Sequence, residues 1–158
     1  SNLSTTRATG FFVYLGQATE DFYPLYVSFH STAGGVGGQT GELGIFTTQS
    51  PPNKLNQQLT KLFSSDNISS LTSAGVKRNI TPFVSGISAG QYIWAGYRVG
   101  MTATQPGVLG LMGAFDQGSL LYSDLRHSGF SQISTITGEI VVLDSANPSA
   151  PDLRIELA

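Results

Sequence analysis

The sequence has no cysteine, two histidines and few charged residues, which make up 11% of its 158 residues. Without cysteine, disulfides, thiolate metal sites and a cysteine nucleophile are all excluded. The histidines, His30 and His127, lie far apart, and the acidic residues are scattered except for Glu20 and Asp21. No carboxylate pair suited to glycoside hydrolysis and no calcium-type cluster is recognisable. The sequence therefore predicts no enzyme, no metal site and no cofactor.

Strong net charge and long apolar runs are also lacking. The net charge of -2 gives no basic field for nucleic acid or an anionic lipid surface. No apolar run is long enough to span a bilayer, and no basic segment followed by an apolar one opens the chain. We expect neither a nucleic-acid partner nor membrane insertion. Because the first residue is Ser1 and not Met, we expect the C-terminal part of a longer chain.

Glycine, serine and threonine are abundant instead. The 19 glycines and a polar fraction made largely of serine and threonine are typical of β-rich extracellular or virion domains, whose many turns need glycine. The length suits one domain, residues 1–158, that buries a single core without metal or disulfide.

The clearest two-residue alternation lies at residues 91–99, which include the only tryptophan. It places on one face Tyr92, Trp94, Gly96 and Arg98, and on the other Gln91, Ile93, Ala95, Tyr97 and Val99. Neither face is uniformly polar, which predicts a central strand covered on both faces, one of them by a second sheet. Trp94 is predicted to be a core residue and not a platform for a sugar.

Further strands are predicted where β-branched and aromatic residues are enriched. They lie at 10–15, 25–30, 42–48, 59–63, 79–85, 108–115, 133–136, 138–143 and 153–157. Polar segments between them, including 67–78, 124–130 and 146–151, are predicted to be loops, turns or linkers. About eight to ten short strands with frequent turn signals predict an all-β fold, an antiparallel β-sandwich.

Residues 33–41 are rich in glycine and invite comparison with a phosphate-binding loop. No Lys-Ser or Lys-Thr pair follows, and the next residues have a strand pattern instead of a helix start. A flexible hairpin loop is therefore favoured over a phosphate site.

Two segments, residues 41–47 (GELGIFT) and 83–97 (FVSGISAGQYIWAGY), carry a resemblance. They resemble the jelly-roll domains of phage tail fibres, tail spikes and other virion appendages, in which a strand with an apolar-aromatic end is followed by a small-Ala-Gly-aromatic-x-Trp strand. The resemblance covers residues 42–113, and Phe46 stands where tyrosine is common. It implies a jelly-roll-like sandwich and a trimeric, surface-recognising part of a virion, which is an extracellular location.

The resemblance implies a non-enzymatic module for recognition of the host surface, through a glycan or another receptor, or for fibre assembly with other virion proteins. Two alternatives stay open. One is a purely structural domain for trimerisation or capsid decoration, and the other is a secreted, monomeric carbohydrate-binding module. The low charge also favours a homotrimer, because few charged groups are available to keep a large apolar face in solution.

Receptor contacts are expected from loops at one end of the sandwich, since loops vary without disturbing the core. The loops at 116–118 and 122–127 combine planar polar side chains with a tyrosine ring. The predicted ligand-binding residues are Asp116, Gln117, Tyr122, Asp124, Arg126 and His127. For 124–128 alone, a solvated loop with a local Asp-Arg pair is the favoured alternative.

Aromatic residues at strand ends or in loops form a further group: Tyr23, Phe115, Tyr122 and Phe130. A displayed ring can stack on a sugar face, but covering a core edge or a subunit interface is an equal alternative. Asn2, Asn67 and Asn79 match the pattern for glycosylation, which is expected by chance in a chain rich in serine and threonine.

Overall fold

A computed structural model of the chain describes residues 2–3, 9–37, 39–51, 58–65, 68–101, 104–112, 128–132, 140–142, 145–146 and 149–157. These residues form β-strands and contain no helix. The strands are β1 (Asn2–Leu3), β2 (Thr9–Gln17), β3 (Pro24–Ala33), β4 (Gln39–Thr48), β5 (Gln58–Ser65), β6 (Gly75–Arg78), β7 (Tyr92–Met101), β8 (Gly107–Met112), β9 (Ser128–Gln132), β10 (Ile140–Val142), β11 (Ser145–Ala146), β12 (Ser149–Pro151) and β13 (Arg154–Leu157).

The strands form two antiparallel sheets. One is seven-stranded, in the order β10-β5-β4-β7-β2-β9-β11, and the other is six-stranded, in the order β1-β8-β3-β13 with β12 beside β8 and β6 beside β3. The chain passes repeatedly from one sheet to the other, for example from β2 to β3, from β3 to β4 and from β5 to β6. The predicted all-β fold, an antiparallel β-sandwich, is confirmed.

Strand β7 is central, as its alternation predicts. It pairs with β2 along one edge and with β4 along the other. Its two faces contribute to different hydrophobic clusters, so that Ile93 packs in one and Trp94 in the other. The predicted division of this strand into two covered faces is confirmed.

The cluster between the sheets is the larger one and draws on both of them. It contains Phe11, Val13, Ala18, Val27, Phe29, Leu43, Ile45, Ile68, Leu71, Phe83, Ile87, Ile93, Ala95, Tyr97, Val108 and Leu153. Alternate residues along β2, β4 and β7 supply the seven-stranded sheet's share of it, as the pleat requires. The residues that β2, β4 and β7 contribute to this cluster lie on what we call the inner face of the seven-stranded sheet.

The outer face of the same sheet carries a second buried cluster, made of Phe12, Tyr14, Phe46, Leu59 and Trp94. The rings of Phe12 and Phe46 meet edge to face with centroids 5.2 Å apart. Both rings lie over Gly96, where an added Cβ would come within 2.8 Å of Phe12 and 2.7 Å of Phe46. The glycine thus makes room for an aromatic pair that no larger residue would allow.

The glycine-rich segment at 33–41 does not form the predicted hairpin. It leads from β3 in one sheet to β4 in the other. The amides of Gly35 and Val36 donate to the carbonyls of Leu71 and Thr104, and Gly34 lies directly against the backbone of Thr72. At Gly34 a side chain would clash with the backbone of Thr72, which explains the glycine at this position.

Residues 67–85 also depart from expectation. The predicted loop contains β6, which pairs with β3, and the predicted strand at 79–85 is irregular after an isolated bridge at Asn79. The fully buried Asn79 side chain replaces strand pairing: Oδ1 accepts from Val27 N at 2.9 Å, and Nδ2 donates to the carbonyls of Leu25 and Thr81. A buried side-chain amide that bonds to backbone groups in this way takes the place of backbone pairing between strands.

Other strands lie where polar composition predicts loops. Residues 128–130 belong to β9, and the predicted linker at 146–151 contains β12 and the end of β11. These segments are strands because β2, β8 and β9 pair with them, and such long-range pairing is not encoded in local composition. The predicted strand at 133–136 lies outside the described residues.

Candidate binding surfaces

The six residues predicted to bind a ligand, Asp116, Gln117, Tyr122, Asp124, Arg126 and His127, lie outside the described residues. Of the two histidines, His30 is exposed on β3 opposite Val76 and does not enter the core. Within the described part of the chain, no group of three or more histidine, aspartate and glutamate residues could hold a metal ion. No helix there is long and apolar enough to cross a membrane.

One loop of the described chain runs from residue 18 to residue 23, between β2 and β3. It is joined to the turn at 87–91 by paired backbone hydrogen bonds: Phe22 and Ile87 exchange bonds of 3.0 and 2.8 Å, and Ala18 is bonded to Gly90 and Gln91. The carboxylate of Asp21 adds a bond from the amide of Ala89 at 2.8 Å. This hydrogen-bonded pair of loops is a rigid support for the side chains it carries.

Tyr23 is displayed at the end of this support. Its side chain is 66% exposed, and one edge of the ring lies close to Gly86, where an ideal Cβ would be 3.1 Å from Cε1. Val84, two residues before that glycine, is 93% exposed. We call Tyr23, Val84 and Gly86 the Tyr23 surface. The prediction that Tyr23 lies in a loop is confirmed, and its ring is not covering the core.

A cleft of about 390 Å³ lies on the other side of the same loop, between the end of β2 and β13. We call it the β2–β13 cleft, and its lining is Leu15, Gly16, Gln17, Ala18, Thr19, Glu20, Phe22, Ile93, Ile155 and Leu157. Most of the lining residues are apolar, and Gln17 and Thr19 are its uncharged polar residues. A volume of this size suits a small ligand or a few side chains of a partner.

A bulge shapes one wall of this cleft. The register between β2 and β7 shifts between Tyr14 and Gly16, and Gly16 has a φ of 129° that other residues rarely adopt. A bulge re-aims the side chains beside it. Here it accompanies the turn of Leu15 towards the gap between the sheets, where it packs against the inner cluster.

The lining of the cleft carries a negative charge and no positive charge. Glu20 is the charged residue of the lining, and no lysine or arginine belongs to it. On β13, Arg154 is bonded to Asp152 at 3.0 Å, and this hydrogen bond together with the charge of Asp152 raises the pKa of Arg154. Arg154, which is not part of the lining, already has an anionic partner, so Glu20 is the charge that the cleft presents.

Sequence reasoning missed the cleft, although each of its parts was visible. The apolar ends of two predicted strands, at residues 10–15 and 153–157, supply its walls. The local sequence does not show, however, that β13 joins the sheet that lies opposite β2. A second missed feature is the ion pair between Glu42 and Arg98, which are buried opposite each other on β4 and β7.

One glycosylation pattern is excluded by the fold. Asn79 is fully buried, and both hydrogens of its Nδ2 are directed to carbonyls. The side chains of Asn2 and Asn67 are not among those that the structure describes. The folded chain therefore cannot be modified at Asn79.

Comparison with protein-family models, with curated proteins and with solved structures gives no match.

Proposed function

We propose that this sandwich is a non-enzymatic recognition module of a virion appendage, such as a phage tail fibre, that binds a glycan or another receptor on the host surface. The observation that carries the proposal is the exposed Tyr23 ring on a hydrogen-bonded support. The likeness of residues 41–47 and 83–97 to virion jelly-roll domains supplies the biological setting.

An exposed ring on a rigid support suits recognition for a physical reason. Tyrosine offers a large apolar face and a polar tip, and sugars present both C–H faces and hydroxyls. Because Gly86 and the paired loops already restrict the ring, little side-chain entropy is lost when a ligand stacks on it. The exposed carboxylate of Asp21, which accepts from the amide of Ala89 through Oδ1, can accept hydrogen bonds from sugar hydroxyls through Oδ2.

The proposal includes a homotrimer that works outside the cell as part of the virion, in contact with other virion proteins. Three copies of one weak site would give useful avidity on a surface with repeated receptors. The predicted loop residues, from Asp116 to His127, belong to the same proposal as additional receptor contacts.

The test is binding of the purified protein to a glycan array and to a panel of bacterial surface polysaccharides. Tyr23→Ala should weaken binding about tenfold, which corresponds to about 1.4 kcal/mol, without changing the melting temperature. Val76→Ala is the matched control, because Val76 is 68% exposed on the six-stranded sheet, away from the Tyr23 surface. Its binding should equal that of the unchanged protein.

Two other results would redirect or reject the proposal. If Tyr122→Ala combined with Arg126→Ala abolishes binding and Tyr23→Ala does not, the receptor surface is the predicted loop. If no glycan or polysaccharide binds and light scattering gives a monomer at micromolar concentration, both recognition and the homotrimer are rejected.

A further inference from the structure

Two strand edges that have no partner strand among the described residues flank the β2–β13 cleft. One edge of β13 pairs with β3, and no strand of the described chain pairs with its other edge. In the opposite sheet, β9 pairs with β2 only over Thr9–Val13, so that Leu15, Gly16 and Gln17 have no strand beside them on that side within the described residues. Unpaired strand edges present backbone donors and acceptors to any extended chain that approaches them.

We infer that this cleft is the acceptor site for an extended peptide strand of a partner protein, with apolar side chains on one face and a lysine or arginine at the end of that face. The strand would pair with the edge of β13 that no described strand occupies. Its apolar side chains would enter the cleft, and its basic side chain would lie against Glu20.

The alternation of β13 supports an extended occupant. Ile155 and Leu157 line the cleft, while Arg154 and Glu156 do not. A strand added beside β13 continues the pleat, so its alternate residues fall on the same face as Ile155 and Leu157. Leu157 is 58% exposed, which leaves apolar surface for the added strand to cover.

Charge complementarity selects the chemistry of the partner. The charged residue of the lining is Glu20, and the lining contains no lysine or arginine. A basic residue next to the apolar side chains of the partner strand would neutralise Glu20.

This inference rests on the proposed function in one respect, since assembly of a virion appendage would bring the partner strand to the cleft. It concerns a different surface from Tyr23. The two can therefore fail separately: Tyr23→Ala should leave peptide binding unchanged, and Leu157→Ser should leave polysaccharide binding unchanged.

The probe is a fluorescein-labelled peptide of sequence KTITITITK with blocked ends, in which the lysines and isoleucines share one face. Fluorescence anisotropy with the full chain should give saturable binding. Replacement of the isoleucines by serine, or N-methylation of alternate amides, should weaken binding at least tenfold. The first change removes the apolar contact, and the second removes strand pairing.

Variants of the protein place the peptide in the cleft. Leu157→Ser should weaken binding about fivefold or more, whereas Ile80→Ser should have no effect, because Ile80 is equally exposed, at 62%, outside the lining. Glu20→Lys should weaken binding of KTITITITK and strengthen binding of ETITITITE. This exchange of preference separates a charge contact from a loss of folding.

Several outcomes would overturn the inference. They are the absence of binding at millimolar peptide, equal effects of Leu157→Ser and Ile80→Ser, and no exchange of charge preference by Glu20→Lys. Loss of self-association in Leu157→Ser without peptide binding would identify a second copy as the occupant. Loss of polysaccharide binding in the same variant, again without peptide binding, would make the cleft a glycan site.

Discussion

The two faces of the seven-stranded sheet are both buried, but they are built differently. The inner face packs aliphatic and aromatic residues such as Val13, Ile45 and Tyr97 against the other sheet. The outer face combines aromatic rings with polar anchors: Trp94 Nε1 donates to Thr48 Oγ1 at 3.1 Å, and Arg98 pairs with Glu42. The inner face depends on shape, whereas the outer face adds directed contacts.

This difference indicates which face of the sheet tolerates substitution less. Apolar packing tolerates exchanges of similar volume, while buried polar partners do not, because a lone donor or charge is costly. The outer face also depends on Gly96, whose missing side chain is part of the packing. Substitutions on the outer face should therefore cost more than comparable ones on the inner face.

The largest effect is expected at Trp94, which is fully buried on the outer face. Trp94→Ala should lower the free energy of unfolding by about 3–5 kcal/mol or prevent folding, as chemical denaturation would show. Trp94→Phe, which keeps a ring but loses the bond to Thr48, should cost less. A normally folded Trp94→Ala that loses glycan binding would instead make this residue part of a binding surface.

The ion pair on the outer face should give the next largest effect. Arg98→Met removes the positive charge that pairs with the buried carboxylate of Glu42 and should destabilise the fold by about 3 kcal/mol. Adding Glu42→Gln should restore much of this loss, because the uncompensated charge is then gone. Equal stability of the single and double variants would show that Glu42 does not depend on Arg98.

A smaller loss is expected from Gly96→Ala, which inserts a methyl group between two rings. Overpacking of this kind typically costs about 1–3 kcal/mol. Combining it with Phe46→Leu should cost less than the sum of the two single changes, since the smaller side chain relieves the contact. Additive losses in the double-mutant cycle would show that the rings move aside freely.

The smallest effect, and the opposite sign, is expected on the inner face. Tyr97 Oη is buried and has no hydrogen-bond partner among the described residues, so Tyr97→Phe should stabilise the fold by about 1 kcal/mol. Burial raises the pKa of Tyr97 far above its ordinary value of 10.0. The contribution of this group is fully present below pH 10.0 and is lost as the pH rises towards the folded-state pKa, because only the unfolded chain then releases the proton.

Denaturation at pH 8 to 11 can check this sign. The unchanged protein should lose stability more steeply above about pH 10 than Tyr97→Phe does. Parallel curves for the two proteins would mean that the Tyr97 hydroxyl ionises equally well in the folded chain.

The features of the seven-stranded sheet differ in how far the sequence predicts them. Alternation is a local property, so the two faces of β7 and the burial of Trp94 follow from residues 91–99 alone. The pairing of Glu42 with Arg98 depends on the register between β4 and β7, which are far apart in the sequence. Strand β6 was predicted to be a loop because it contains the charged residue Lys77. In the fold Lys77 is buried: its Nζ donates to Ser73 Oγ, and its aliphatic stem is covered.

The two candidate surfaces also differ in how far the sequence predicts them. Tyr23 was predictable as a displayed aromatic residue because it directly precedes Pro24 and follows the polar pair Glu20 and Asp21. The β2–β13 cleft was not predictable, because its two walls come from opposite ends of the chain. Nothing within residues 153–157 indicates which strand they will join.

The pairing of β13 with β3 has a consequence for biosynthesis. Residues 154–157 lie beside Pro24 and residues 26–28, so the six-stranded sheet cannot close until residues 154–157 have left the ribosome. Until then, β3 exposes an edge that later belongs to β13. Because such non-local pairing slows folding to milliseconds or longer, we expect the nascent chain to be most vulnerable to aggregation just before synthesis of that strand.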